Sequence, residues 1–164
     1  MHRCAALVAI VAFALLSGTT RADEKKLEIK DLPQAVTDAV KAKFPDAELL
    51  KASTEKENGK VEYEVDIKHK GQKIDVTLTE DGKITELEKT INVEDLPKVV
   101  SDALAQKYPG ATRKKAEEIV KVTDGNEKLE AYELVITSGD KKLEVTFSPE
   151  GKFVKEEGKN EEKK

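Results

Sequence analysis

One segment of 22 residues occurs twice in the chain: residues 31–52 read DLPQAVTDAVKAKFPDAELLKA, and residues 95–116 read DLPKVVSDALAQKYPGATRKKA. The two segments are identical at 11 of 22 positions. Further along the chain, residues 63–83 match residues 132–152 at 8 of 21 positions. Self-similarity at a fixed offset is typical of a repeated structural unit. The sequence therefore predicts a tandem duplication.

Each copy carries the pattern of one amphipathic helix. Apolar residues recur three to four positions apart, as they do on one face of an α-helix. These residues are Leu32, Val36, Ala39, Val40 and Phe44 in the first copy and Leu96, Val100, Ala103, Leu104 and Tyr108 in the second. A proline suits the first helical turn, where its missing N–H costs nothing, and Pro33 and Pro97 stand there. Pro45 and Pro109 end each helix, because the residue before a proline avoids helical geometry.

Alternating apolar and polar residues after each helix predict antiparallel strands. The clearest alternation is at 61–68 and 74–79 in the first copy and at 132–136 and 143–147 in the second, with weaker strands at 47–55, 84–89, 111–121 and 153–155. Lys70-Gly71 and Asp81-Gly82 are typical hairpin turns. We therefore predict an α+β fold of two tandem repeats, each with one amphipathic helix packed on an antiparallel meander of about four strands.

The first 22 residues have the pattern of a secretory signal peptide. Arg3 precedes an apolar segment at 5–16, and Thr20-Arg21-Ala22 offers small residues for cleavage after Ala22. A membrane span takes roughly 20 apolar residues, and this segment is shorter. The mature protein is thus expected to be exported, to the periplasm or the extracellular space, without a membrane span.

The predicted organisation is a signal peptide at 1–22, a first repeat at 23–90, a second repeat at 91–155 and a charged, disordered tail at 156–164. Residues 89–94, at the junction, contain no Gly, Pro or Ser. We therefore expect the two repeats to pack against each other with little freedom.

The composition after residue 22 argues against nucleic-acid binding and leaves the domain without disulfides. Residues 23–164 contain 27 basic and 33 acidic side chains, a formal charge of −6, and no cysteine. An acidic surface disfavours nucleic acid as a partner. Without a disulfide, an exported domain has to be stabilised by packing alone.

No catalytic constellation can be assembled from the sequence, so we predict a protein that is not an enzyme and assign no catalytic, cofactor-binding or metal residue. His69, at a predicted hairpin, has no cysteine or second histidine with which to bind zinc. The four serines after residue 22 lack a G-x-S-x-G setting. Residues 124–127 are too few for a calcium-binding EF-hand loop and predict a turn.

The strands present polar residues on the side away from the helices. This candidate interaction face consists of Glu62, Glu64, Asp66, Asp75, Thr77, Glu133, Glu144 and Thr146. Carboxylate oxygens also suit Ca²⁺, which leaves weak binding of a divalent cation as an alternative. Tyr63 and Tyr132 share the alternation of the apolar residues and are expected in the core.

The order of these motifs resembles the β-lactamase-inhibitor-like, PepSY-like domains of secreted bacterial proteins. The match lies in Asp31-Leu32-Pro33, Phe44-Pro45, Tyr63-Glu64, Val76-Thr77 and Gly82-Lys83, with their second-copy partners, and extends over 27–158. The resemblance implies a helix on a four-stranded antiparallel sheet, often in tandem. It also implies modules that bind or inhibit secreted enzymes, notably peptidases and β-lactamases.

The function predicted from the sequence is that of an exported, non-enzymatic binding module. It would present its polar sheet face and a loop at 117–130 to a secreted or envelope partner. The alternatives are an inhibitor or regulator of a secreted peptidase or β-lactamase, on the resemblance, and a weak binder of divalent cations. The identity of the partner and the oligomeric state stay open.

Overall fold

Both helices begin directly after the proline of a D-L-P motif. A computed structural model describes residues 25–57 and 59–158, and in it α1 spans Gln34–Lys43 and α2 spans Lys98–Lys107. Each helix ends at the aromatic residue before the next proline, where the Phe44 and Tyr108 N–H groups donate to the Val40 and Leu104 carbonyls. The helices thus lie where the repeated motif predicts them. The predicted signal peptide, 1–22, lies outside the described residues.

Nine strands follow the order of the chain, and each pairs antiparallel with the next. They are β1 (Lys25–Leu27), β2 (Glu48–Glu57), β3 (Lys60–His69), β4 (Gln72–Thr79), β5 (Ile84–Ile91), β6 (Thr112–Thr123), β7 (Asn126–Ser138), β8 (Lys141–Phe147) and β9 (Phe153–Gly158). Helix α1 lies between β1 and β2 in the chain, and α2 lies between β5 and β6.

The prediction of two tandem repeats, each with a helix on its own meander of about four strands, is wrong, because all nine strands form a single sheet. Strand β5 of the first repeat pairs with β6 of the second, from Glu86 opposite Lys121 to Ile91 opposite Ala116. A separate first repeat would leave the outer backbone groups of β5 unpaired, and β6 satisfies them. The fold is therefore one nine-stranded antiparallel sheet with two short helices on one face.

The prediction of a loop at 117–130 is also wrong, because these residues belong to a long hairpin of β6 and β7. Pairing continues to Thr123 opposite Asn126. Asp124 and Gly125 have φ values of 50° and 81° and form the predicted turn. Positive φ at both central residues is what a two-residue hairpin turn of type I′ requires.

The tip of this hairpin, residues 120–129, completes the core of the first repeat. Val120 and Val122 are buried in the same cluster as Val36, Val40 and Leu87, and Leu129 packs against it. The second core lies under α2, around Val100, Leu104 and Phe147, and all of its buried residues come from the second repeat. The two copies are therefore structurally unequal, since the core of the first repeat is completed by residues of the second.

Two turn glycines allow the helices to sit close to the sheet. Gly82 and Gly151 have φ values of 83° and 78°. A Cβ atom at Gly82 would lie 2.5 Å from the Ala35 carbonyl oxygen, and one at Gly151 would lie 2.7 Å from the Val99 carbonyl oxygen. The repeated Gly-Lys motif is explained by this close approach of each turn to a helix.

Strand β9 continues through Gly158, so the first three residues of the segment expected as a disordered tail are in the sheet. The remainder of that segment, 159–164, lies outside the described residues. Within the described ranges, neither helix is long and apolar enough to cross a membrane.

Candidate functional site

The sheet has one face covered by the helices and one that points away from them, here called the open face. In β3, Val65 and Ile67 are buried beneath α1, so Glu64 and Asp66 point to the opposite side. Pairing carries this alternation across the sheet, with Glu64 opposite Thr77 and Glu133 opposite Thr146. All eight residues of the predicted interaction face lie on the open face, and their role in binding stays a prediction.

The open face also carries carboxylates that the sequence reasoning did not assign to it, among them those of Glu88 and Glu117. With them, six strands in succession each contribute one acid to a row across the middle of the face. This acidic row consists of Asp66 (β3), Asp75 (β4), Glu88 (β5), Glu117 (β6), Glu133 (β7) and Glu144 (β8).

Strand register forms the row. Asp66 lies opposite Asp75, and Asp75 lies opposite Glu88. In the second repeat Glu117 lies opposite Glu133. The pairing of β5 with β6 joins these two halves, with Glu88 opposite Ile119, two residues from Glu117. The row thus crosses the junction between the repeats, where the internal symmetry of the sequence gives no signal.

Within the row, carboxylate oxygens come close enough to share one ligand. One oxygen each from Asp75, Glu88 and Glu117 lie within 4.8 Å of one another. A second group of the same kind is formed by Glu64, Asp66 and Asp75. Asp75 belongs to both groups and stands at their centre.

Glu117 is the most enclosed member of the row, with 3% of its surface exposed. Its Oε1 lies 2.6 Å from the Lys115 Nζ and accepts a hydrogen bond of 3.2 Å from the Thr90 hydroxyl. A buried carboxylate is costly unless it is paired. Lys115 and Thr90 supply that pairing at Oε1, so Glu117 is held in a fixed position.

Burial and mutual repulsion raise the pKa values of the central acids. Desolvation, with the nearby Asp66 and Glu117 carboxylates, raises the pKa of Asp75 to about 6. Desolvation, with Glu133 and Glu117, raises the pKa of Glu88 to about 8. At neutral pH Glu88 is therefore the central acid that keeps its proton, whereas Asp75 is mostly ionised.

Glu133 and Glu144 lie in contact with each other at the other end of the row. Burial raises the pKa of Glu133, and a hydrogen bond with the Glu144 carboxyl raises it further. Two carboxyls in contact share a proton, because both cannot ionise at low cost. Lys155 lies 3.9 Å from Glu133 and partly offsets this repulsion.

Lysines stand at the margins of the row. Lys121 lies 2.6 Å from Glu86, and Lys51 lies 3.8 Å from Asp66. The open face thus has an acidic centre, in which Lys115 contacts Glu117, and further basic side chains around it.

Other residues singled out from the sequence belong to the packing. Tyr132 is buried in the second core and Tyr63 packs against the first, which confirms their assignment to the core. His69 is the last residue of β3, and its ring contacts Phe44 edge-on at 5.6 Å between centroids. The His69 Nδ1 is buried and has no hydrogen-bond partner among the described residues.

A family model described as "Putative beta-lactamase-inhibitor-like, PepSY-like" matches residues 19–86 and 81–155. The chain belongs to this family. The two matches correspond to the two copies of the duplication, and the PepSY-like family is not described as a family of enzymes.

Solved structures show the same fold at low sequence identity. A BLIP-like protein of Bacteroides fragilis is 20% identical, with 80% of this chain and 90% of that one covered and a TM-score of 0.58. A DUF2874 family protein of Bacteroides uniformis is 15% identical, with coverage of 77% and 88% and a TM-score of 0.62. A protein of Bacteroides eggerthii, described as a putative periplasmic protein, gives the same values. The search of curated proteins gave no match.

Proposed function

We propose that this PepSY-like protein is an exported, non-enzymatic binding module whose open face holds a cationic surface of a secreted or envelope protein. The observation that carries the proposal is the acidic row, which places one carboxylate on each of six neighbouring strands. Buried and half-buried carboxylates lose hydration and gain most when a partner supplies a positive charge. Lysine or arginine side chains of a partner would supply it.

Export is supported by the signal-peptide pattern at 1–22 and by the description of the Bacteroides eggerthii relative as periplasmic. A binding role is supported by the family, whose description is that of an inhibitor-like protein. The row lies on a sheet and not on loops, which favours a preformed surface that needs little ordering when it binds.

The proposal is tested by capture with a matched pair of variants. Residues 23–164 serve as bait for proteins of the periplasm and the culture medium, beside a row variant with Asp75→Asn, Glu88→Gln and Glu117→Gln. The control variant replaces the same number of carboxyl groups at exposed positions outside the row, with Glu80→Gln, Glu94→Gln and Asp140→Asn. A partner of the open face should be retained by the wild type and the control and lost from the row variant.

Retention should also weaken as salt is raised, because charge pairs at an accessible face are screened. A partner retained equally by all three baits, or one insensitive to salt, would contradict the role of the acidic row. Purified partner and calorimetry then give the affinity.

Inhibition of a secreted peptidase or β-lactamase is the form that this function takes if the partner is such an enzyme. It rests on the family description. Titration of the captured enzyme with the wild-type protein would then lower its activity in a saturable manner, and the row variant would not. A captured enzyme that keeps full activity would exclude inhibition and leave the binding role intact.

A divalent cation is the second candidate ligand, favoured by the oxygens of Asp75, Glu88 and Glu117 lying within 4.8 Å of one another. Ca²⁺ takes oxygen ligands of this kind at about 2.3–2.6 Å, so small side-chain movements would bring these three onto one ion. Calorimetric titration with CaCl₂ at pH 8 should give a one-site isotherm that is absent from Glu88→Gln. Heat that is equal in both proteins would exclude this site.

A further inference from the structure

The first repeat has a flank that the second repeat covers. This first flank is the surface between α1 and the outer edge of β5, and the hairpin tip fills it. Val120 and Val122 are buried there, and Glu127 pairs with Lys43 at 2.6 Å. On the same flank Asp124 lies 3.2 Å from Lys83. The first flank thus binds an antiparallel strand whose apolar residues point toward the core and whose end carries acidic residues.

The second repeat has an equivalent flank, between α2 and the outer edge of β9. Within the described ranges no strand pairs with β9 except β8. The repeat offsets place Lys107 where Lys43 stands and Lys152 where Lys83 stands. The basic residues that receive the hairpin tip in the first repeat are therefore present again.

Exposed apolar residues gather at this second flank. Val99, Phe153 and Val154 are 47%, 41% and 56% exposed, and they make up half of the exposed large apolar residues among the described ranges. Their equivalents in the first repeat are the small Ala35 and the half-buried Ile84 and Thr85. The Lys107 Nζ lies 4.0 Å from the centroid of the Phe153 ring. An exposed apolar group beside an open strand edge marks a docking surface.

Two charges distinguish the second flank from the first. Glu156 stands at the position of Leu87, which is fully buried, and it accepts a hydrogen bond from the Tyr108 hydroxyl. Lys155 stands at the position of Glu86, which pairs with Lys121. An inward-pointing charge on an edge strand rejects a purely apolar strand. These substitutions change which strand fits the edge.

We propose that the second flank is a docking edge for one antiparallel β-strand of a partner protein, with a basic side chain opposite Glu156 and an acidic side chain opposite Lys155. The acidic end of that strand lies near Lys107 and Lys152, as Asp124 and Glu127 lie near Lys83 and Lys43 in the first repeat. The docking edge lies beside the open face. Lys155 also contacts Glu133 of the acidic row at 3.9 Å, but the pairing of β9 with a strand does not require a ligand on that row.

A second copy of the chain is a poorer occupant than such a partner. In the two-fold antiparallel pairing of β9 with itself centred on Glu156, the two Glu156 carboxylates come opposite each other. Directly opposed like charges destabilise a strand pair. In this register β9 does not place a basic side chain opposite Glu156, as the proposed partner strand would.

The test uses peptides with the sequence of β6, because β6 is the strand that fills the first flank. One peptide has the sequence of residues 116–124, and the other carries Val120→Lys and Lys121→Glu, which match Glu156 and Lys155. Binding to residues 23–164 is measured by fluorescence anisotropy, and hydrogen exchange locates the peptide. We expect the altered peptide to bind about tenfold more tightly and to protect the backbone amides of 153–158, not those of 25–27.

Two sets of variants complete the test, with folding checked by circular dichroism and melting temperature. Lys155→Glu with Glu156→Leu restores the first-repeat residues and should reverse the preference between the peptides. Val154→Asp should weaken the altered peptide at least about fivefold, while Val61→Asp, at an exposed valine of β3, should not change it.

Three results would overturn the proposal. The first is that neither peptide increases the protection of the backbone amides of 153–158 from hydrogen exchange. The second is the same peptide preference in the wild type and in the double variant. The third is a dimer in sedimentation, with 153–158 already protected without peptide, which would make a second copy the occupant.

Discussion

The Glu127 Oε1 lies 2.6 Å from the Lys43 Nζ although 84 residues separate them in the chain. The other oxygen of Glu127 lies 3.0 Å from the Lys89 Nζ. Glu127 belongs to the second repeat and both lysines belong to the first. The hairpin tip is therefore attached to the first repeat by charge as well as by Val120 and Val122.

Glu127→Gln is expected to lower the free energy of unfolding by about 1 kcal/mol at pH 7, since Glu127 pairs with two lysines and remains partly exposed to screening solvent. Lys43 and Lys89 hold the pKa of Glu127 below its usual range. That stability is present above the unfolded pKa and is lost as the pH falls through the lower folded pKa. Urea unfolding at pH 7 and pH 3 measures the difference, which should be smaller at pH 3.

The matched control for this prediction is Asp124→Asn in the same hairpin tip. Asp124 pairs with Lys83 at 3.2 Å, and both side chains are largely exposed. Exposed pairs contribute little, and asparagine tolerates the positive φ of this position. Equal effects of the two substitutions would show that the Lys43–Glu127–Lys89 contact is not a special attachment.

Gly82→Ala and Gly151→Ala are each expected to destabilise the fold by about 3 kcal/mol, because the new Cβ meets a helix carbonyl and the φ is positive. Gly71→Ala is the control, since Gly71 has a φ of 88° but a Cβ added there would meet nothing within 4 Å. Gly71→Ala should lower the free energy of unfolding by about 1 kcal/mol. Urea unfolding measures all three, and a cost at Gly82 no larger than at Gly71 would refute the close approach.

Stability should fall as the pH rises from about 4 to about 8. The folded pKa values of Asp75 and Glu88, about 6 and about 8, lie above those of an unfolded chain. The folded state therefore binds more protons than the unfolded state over this interval, and raising the pH favours unfolding. The melting temperature at pH 5 should exceed that at pH 8 by about 5 °C.

Glu88→Gln should raise the melting temperature at pH 8 and flatten its dependence on pH, because glutamine keeps the shape of the protonated acid. Glu80→Gln, in an exposed turn, should leave the wild-type profile unchanged. Differential scanning calorimetry across this pH interval would decide this, and a profile for Glu88→Gln parallel to that of the wild type would contradict the prediction.

The two repeats should differ when they are produced separately. Residues 25–90 lack Val120, Val122 and Leu129, which complete the first core, whereas every buried residue of the second core lies within 91–158. We expect fragment 25–90 to lack a cooperative thermal transition and fragment 91–158 to retain one, as followed by circular dichroism. A cooperative transition in 25–90 alone would show that the hairpin tip is not needed by the first repeat.

Much of the local structure could be predicted, because it depends on neighbours in the chain. Pro33 and Pro97 mark the helix starts, and Asp124-Gly125 marks a turn through its backbone preferences. The placement of Glu64 and Asp66 on the open face follows from the period of a strand. The acidic row could not be predicted as a unit, because Glu88 and Glu117 do not occupy equivalent positions in the two copies of the repeat.

The duplication, the two helices, the turns and the direction in which most strand residues point can all be read from the sequence, since they follow from local backbone preferences and from hydrophobic period. The pairing of β5 with β6, and the completion of the first core by the hairpin tip of the second repeat, became evident only in the folded structure. Strand pairing depends on which backbone edge is left unsatisfied and which apolar surface is left uncovered. The unsatisfied edge and the uncovered surface arise only as the chain folds. The proximity of Glu88 to Glu117 depends on both.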